Sequence, residues 1–255
     1  MLKDEARIRM IPRHGRVALC AWTAMVAVGL TLAAGCGPRR VASVRIANPW
    51  LGSMRVAVAP ALNFSGSGDF DPNTVADLMA SELAQVEGFE VLPVSRVLAV
   101  LAQQGRSRVE SPAHALEIID RLGADGLLVF AVTEYDPYEP PVVGIAAQLY
   151  DPRRGGRLTG VDPVLVSRRA SPVSFDAVAS SDSPVAETAR VFNAACQDTA
   201  RAVREYAAAR QTEDNALGWR KYTASQQHYL RFCCYATIMD LVQHGAARPV
   251  ANAAS

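Results

Sequence analysis

The alternation of apolar and polar residues divides the chain into a short series of elements. Residues 17–34 form an 18-residue run without a single charge. Further on, Arg55-Val56-Ala57-Val58-Ala59 reads as a strand closed by Pro60, and residues 63–72 read as a Gly/Ser/Asp loop. From Thr74 the period turns helical: Val75, Leu78, Met79, Leu83 and Val86 share one face, and Gly88 is the expected stop. Phe89-Glu90-Val91-Leu92 is a short strand. Ser95 is the expected N-cap of a second helix running through Gln104, with Gly105 at its end. Ser111-Pro112 opens a third, since proline fits the first helical position, and Leu116, Ile119 and Leu122 then face the core. Residues 126–132 are nearly all apolar and bounded by turns, the pattern of a strand covered on both faces. A proline-rich turn at 136–141 leads into a strand at 142–150 and a second turn at 151–156. Residues 157–182 read as one further strand followed by loop.

The C-terminal third reads as helical. Ser183-Pro184 marks a start, after which Val185, Ala189, Phe192, Cys196, Thr199, Val203 and Tyr206 recur in steps of four and three, a core stripe. A polar break at 211–218 separates this helix from a second, 219–242, whose apolar face carries Tyr222, Tyr229, Phe232, Cys233 and Met239. The organisation expected is therefore a signal segment (1–35), a tether (36–52), an α/β domain (53–182), a helical hairpin (183–244) and a disordered tail (245–255).

The N-terminus changes the picture most. Lys3, Arg7, Arg9, Arg13 and Arg16 precede the apolar run, which leads into Leu32-Ala33-Ala34-Gly35-Cys36. A positive head, an apolar stretch and small residues before a cleavage point form an export signal. The Cys36 thiol can take a diacylglyceryl group, the chemistry of a lipobox, so the segment resembles a bacterial lipoprotein leader. The competing reading is an uncleaved transmembrane anchor, because 18 apolar residues are near the minimum for spanning. Both readings put the rest of the chain outside the cytoplasm. Asp4 and Glu5 in the head leave Met1 and Met10 both open as the start. Gly37, rather than an aspartate, follows the cysteine, which by resemblance to well-studied lipoproteins favours the outer over the inner membrane, facing the periplasm.

Without residues 1–35 the chain keeps 21 basic and 23 acidic residues, a balance that suggests neither nucleic acid nor a polybasic membrane patch as a partner. Chemistry is sparse. His14, His114, His228 and His244 have no His, Cys or carboxylate at a metal-site spacing, and Gly66-Ser67-Gly68 lacks the frame of a hydrolase nucleophile. No catalytic residue, cofactor or metal is expected. Cys196 and Cys233 lie equally far from the centre of the expected hairpin, each on an inner face. In an oxidising compartment a Cys196–Cys233 disulfide is one reading, and buried free thiols, Cys234 included, are the other. Tyr135, Asp136, Tyr138 and Glu139 flank a stiff, aromatic, acidic turn, the composition of a contact surface; a rigid hairpin turn covering the sheet edge is the alternative.

Several of these segments, taken in order, carry a resemblance. Arg55-Val56-Ala57-Val58-Ala59-Pro60 with Asn63 and Ser65-Gly66, then Val75-Ala76-Asp77-Leu78, Phe89-Glu90-Val91-Leu92-Pro93-Val94-Ser95-Arg96 with Leu98, and Leu122-Gly123-Ala124-Asp125 before a strand ending Val132-Thr133-Glu134-Tyr135 resemble the curli-secretion lipoprotein (CsgG-like) superfamily, whose fold LpoB, PelC and the N-terminal domain of TolB share. The resemblance covers roughly residues 54–156. It implies a mixed sheet flanked by helices, used for protein contact and assembly, with no catalytic residues to carry over. The expected role is a lipid-anchored, non-catalytic adaptor or assembly factor for an envelope partner, with a homo-oligomer open. The alternative is a subunit of an oligomeric secretion channel. For that role the turn at 136–141 is short, and residues 142–150 lack the alternation of a barrel strand.

Overall fold

The computed structural model describes residues 46–50, 52–153, 183–210 and 216–246. The signal segment, Cys36, the first part of the tether, the strand and loop read at 157–182, the break at 211–215 and the tail from 247 lie outside the described residues. Among the described residues six strands form one mixed sheet: β1 (Met54–Val58), β2 (Leu62–Asn63), β3 (Phe89–Leu92), β4 (Gly126–Asp136), β5 (Val142–Tyr150) and β6 (Ala186–Asn193). Their order is β3-β1-β4-β5-β6, with β2 laid beside β4. β1 pairs in parallel with β3 and β4, β2 in parallel with β4, and β4-β5-β6 run antiparallel. The helices are α1 (Pro72–Leu83), α2 (Val94–Gln103), α3 (Pro112–Leu122), α4 (Gln197–Arg210), α5 (Lys221–Ala224) and α6 (Gln226–Ala246).

Both faces of the sheet are covered, which is why β4 reads as an unbroken apolar run. Val56, Val58, Leu128, Phe130 and Ile145 face one core with Met79 and Leu83 of α1 and Phe232 and Ile238 of α6. Ala57, Leu127 and Val129 face the other with Val97 and Leu101 of α2 and Ile118 and Ile119 of α3. Helix ends follow local chemistry. The Asp71 carboxylate accepts from the backbone N–H of Asn73 and Thr74 (3.2 and 3.0 Å) and from the Thr74 hydroxyl (2.7 Å). These bonds, the hydroxyl's first, hold its pKa below the ordinary value. Ser111 Oγ accepts from His114 N at 3.1 Å, and Gly123, with φ of 60°, closes α3 in the left-handed region. Ser95, however, is no cap: α2 begins at Val94, behind Pro93. Nor does Gly88 end α1, which stops at Leu83; Gly88 (φ 89°) instead turns the chain into β3.

The C-terminal third departs from its expected hairpin. Residues 186–193, read as the start of a helix, are strand β6, paired with β5 from Ala186↔Leu149 to Asn193↔Val142. The four-and-three spacing of Val185, Ala189 and Phe192 competes there with an eight-residue partner that would otherwise be a bare edge. Pairing far along the chain overrides local spacing. The α/β layer therefore continues past residue 182, and the first helix of the pair starts only at Gln197. The second, expected as one piece from 219, is split by extended Ser225 (φ −114°, ψ 119°) into a turn at Gly218–Arg220, α5 and α6. Ala189 is exposed in β6 rather than facing a core. Ala189→Val should thus change stability by less than about 0.5 kcal/mol in urea unfolding, where a helix-core position would lose roughly 1–3 kcal/mol to overpacking.

The end of the tether also belongs to the folded body. Ala47 forms a parallel bridge with Glu87, whose carbonyl accepts from Asn48 N and whose N–H donates to Ile46 O, both at 2.8 Å. The Trp50 ring lies 6.1 Å from that of Phe89. The described chain thus enters at the end of the sheet where β1, β3 and β4 begin.

Candidate protein-contact surface

The opposite end of the sheet, where β2 and β4 finish, gathers three connections. The loop after β2 is fixed by its own side chains. Asn63 Oδ1 accepts from Ser65 N (3.1 Å) and Ser65 Oγ (2.9 Å), while its Nδ2 donates to Ser67 O (2.6 Å). Phe64 N donates to Val132 O at 2.8 Å, which lays the loop along β4. The β4–β5 turn is shaped by Asp136 Oδ1, which accepts from Tyr138 N (3.1 Å), and contains a cis Glu139–Pro140 bond. Ala194 N donates to Pro141 O (3.0 Å), tying the link between β6 and α4 to this turn.

What this end presents is aromatic and acidic. Tyr138 is 77% exposed and Phe64 39%. Segments 59–71 and 133–142 together carry Asp69, Asp71, Glu134, Asp136 and Glu139 and no lysine or arginine. Exposed aromatic side chains on an end rich in carboxylates can seat apolar groups and draw cations to it.

Of the residues expected here from sequence, Asp136, Tyr138 and Glu139 are exposed. Tyr135 is not: it is only 8% exposed, because β4 runs on to Asp136 and turns this side chain inward. Its ring packs on Phe70 (4.9 Å) and its hydroxyl bonds the Gln226 side-chain amide. Burial, and then the Asp69 charge, push the Tyr135 pKa up to about 12. Tyr135 braces the surface from beneath. Phe64 and Asp69 join it only through the pairing of β2 with β4, and the sequence pattern gives no sign of that.

The cysteines do not meet as the disulfide reading required. Cys196, Cys233 and Cys234 are free thiols, Cys196 exposed after β6 and the other two buried on α6. With residues 186–193 in the sheet, the hairpin symmetry that paired Cys196 with Cys233 is gone. Burial raises the pKa of both α6 thiols, Cys233 and Cys234 also opposing each other's charge at Cys233. In the folded domain Cys196 should label with a maleimide within minutes and Cys233 and Cys234 only on unfolding. Simultaneous labelling of all three, or protection of Cys196 released by a reductant, would contradict this placement. His114 is a satisfied core histidine: Nε2 lies 2.9 Å from Gln104 Oε1, Nδ1 accepts from Glu110 N at 3.3 Å, and burial lowers its pKa. Among the described residues no three His, Cys, Asp or Glu side chains group as a metal site, and no helix is long and apolar enough to cross a membrane.

No family model and no curated protein matches this chain. Solved structures do. The chain is similar to the lipoprotein GNA1162 of Neisseria meningitidis, at 19% identity over 55% of this chain and 80% of that one, with a TM-score of 0.36. It is similar to the LpoB C-terminal domain of Salmonella enterica, at 17% identity over 41% of this chain and 76% of that one (TM-score 0.34). A third is the PelC dodecamer of Paraburkholderia phytofirmans, at 20% identity over 45% of this chain and 71% of that one (TM-score 0.26). Among the described residues, the mixed six-stranded sheet flanked by helices is the architecture expected from the sequence. Likenesses this shallow transfer neither a partner nor an activity.

Proposed function

We propose that this chain is a lipid-anchored envelope protein, held to its membrane through Cys36, that works as a non-catalytic adaptor or assembly factor. The observation that carries this reading is the end surface of β2 and β4, where Tyr138 and Phe64 stand exposed among carboxylates on loops braced by Tyr135, Phe70 and Gln226. A built, rigid surface of exposed aromatics suits protein contact. The partner it fits offers cations around an apolar pocket. The leader and Cys36 support the address, on the periplasmic side and at the outer rather than the inner membrane.

The test is made in a diderm bacterium with a photo-crosslinking residue at position 138 and, as a control, at the exposed Glu90 of β3. A discrete adduct at 138 but not at 90, abolished by Asp136→Lys with Glu139→Lys while the thermal midpoint holds, is the expected result. Equal adducts at both positions would remove the contact reading. In the same cells Cys36→Ala should leave the membrane fraction. A Cys36→Ala protein that stays there at full-length mass would make residues 17–34 a spanning helix instead.

A further inference from the structure

A second surface lies along α4 and the turn that precedes α5. Gly218, at φ 52°, lets residues 217–220 fold back in a single turn closed by Arg220 N donating to Leu217 O at 3.0 Å. This turn brings two guanidinium groups over the Trp219 ring: Arg204 of α4 lies 4.7 Å from the ring centroid and Arg220 lies 5.7 Å from it. Lys221 Nζ stands 5.1 Å from the Tyr222 ring. Leu217 is 56% exposed at the edge of the same turn.

Among the described residues these cations stand without carboxylate partners. The other arginines of the C-terminal helices each hold a carboxylate: Arg201 with Asp198, Arg210 and Arg231 with Glu82. Among the described residues Arg204, Arg220 and Lys221 hold none, and Glu205, next to Arg204 on α4, pairs with none of them. The positive field extends to His228, whose pKa is lowered first by burial and then by Lys221 and Arg231. Arginine and lysine stems that lie along apolar surface with their heads in water, beside tryptophan and an exposed leucine, make the composition that settles at a lipid–water interface. Guanidinium groups held over a tryptophan ring are attracted to its π face and stay close to it.

We propose that the Leu217–Tyr222 turn, with Arg204, is a docking surface for an anionic phospholipid bilayer. Arg204, Arg220 and Lys221 meet headgroup phosphates, and Trp219 and Leu217 enter the interface. A surface of three cations binds weakly alone. Next to an acyl anchor it acts as the second of the two signals that stable attachment needs, and it fixes which flank of the domain lies against the membrane. The docking does not depend on acylation of Cys36, so it can be measured without the anchor.

The experiment uses residues 43–255, which form one compact unit. Trp50→Phe in this background leaves Trp219 as its single tryptophan. Sedimentation with vesicles of phosphatidylglycerol in phosphatidylcholine, beside pure phosphatidylcholine, should show binding only to the anionic vesicles. Binding should fall as salt shortens the screening length from ~10 Å at 0.1 M to ~3 Å at 1 M, and Trp219 emission should shift to the blue. Arg204→Gln with Arg220→Gln and Lys221→Gln should lower the partition coefficient by roughly a hundredfold, at about fivefold per basic residue, with the far-ultraviolet circular dichroism unchanged. Binding that ignores lipid charge overturns the proposal. So does a triple variant that binds as well as its parent. The unmutated domain is tested independently: no blue shift of Trp219 on anionic vesicles, at any protein concentration, also overturns it.

Discussion

Replacing Glu82 by alanine should cost about 3 kcal/mol of stability and lower the thermal midpoint by roughly 6–12 °C. Glu82 is a carboxylate buried where α1, α4 and α6 meet. Its Oε2 lies 2.7 Å from Arg210 and its Oε1 3.8 Å from Arg231, and the Tyr206 hydroxyl donates to Oε1 at 3.3 Å. The Arg210 guanidinium in turn lies over the rings of Tyr206 (3.9 Å) and Tyr235 (4.6 Å). Removing the carboxylate strands Arg210 between two aromatic faces and leaves the Tyr206 hydroxyl without its acceptor. The Arg210 side chain is 29% exposed, so water recovers part of the loss, which sets the figure at the lower end for a broken buried pair. Glu82→Gln keeps an acceptor for Tyr206 and should lose roughly half as much. In a double-mutant cycle, Glu82→Ala and Arg210→Met should fall short of additive, because each removes the same contact. A urea midpoint for Glu82→Ala within about 0.5 kcal/mol of the parent would mean that these three helices are not locked at this point.

Phe192→Ala should lose about 3–4 kcal/mol by the same measurement. Phe192 is fully buried in β6, edge-on to Phe232 of α6 at 5.9 Å, with Arg190 over its face at 5.1 Å and its carbonyl accepting from the Tyr229 hydroxyl at 2.9 Å. It is the main side chain joining the edge strand to the helix that covers it. The larger consequence is local. Hydrogen exchange of the β6 amides should accelerate well beyond that of β4, since an edge strand deprived of its apolar grip opens on its own. Uniform acceleration across the sheet would show instead that β6 unfolds only with the whole domain.

These two side chains mark what the sequence lets through. Phe192 falls in the core whether residues 186–193 are helix or strand, so its burial was legible and its element was not. Ala186, Glu187, Ala189 and Arg190 favour a helix, and only the open edge of β5 decides otherwise. The disulfide reading of Cys196 and Cys233 rested on that helix, and the free-thiol reading is the one the structure carries. Elements specified by neighbouring residues read correctly: β1, the apolar span of β4, the Ser111 cap and the proline turn at 136–141. The contact surface was half legible for the same reason. Asp136, Tyr138 and Glu139 belong to one turn, whereas Phe64 and Asp69 arrive through a strand of two residues whose partner lies almost seventy positions away. Glu82 drew no notice as one acidic residue on an apolar helix face, because its two arginines come from elements more than a hundred residues on.

The entry of the chain beside β3 has a consequence for reach. Ile46 lies where the parallel strands begin and Tyr138 just beyond where β4 finishes, and the eleven residues of β4 span about 35 Å. With Cys36 acylated as proposed, the ten residues up to Ile46 extend by at most ~35 Å more. The acidic end then stands no farther from the membrane than the sum of a leash and one strand. A partner rooted in the same membrane lies inside that distance. A partner fixed on the far side of a wide compartment lies outside it unless it sends a long arm back.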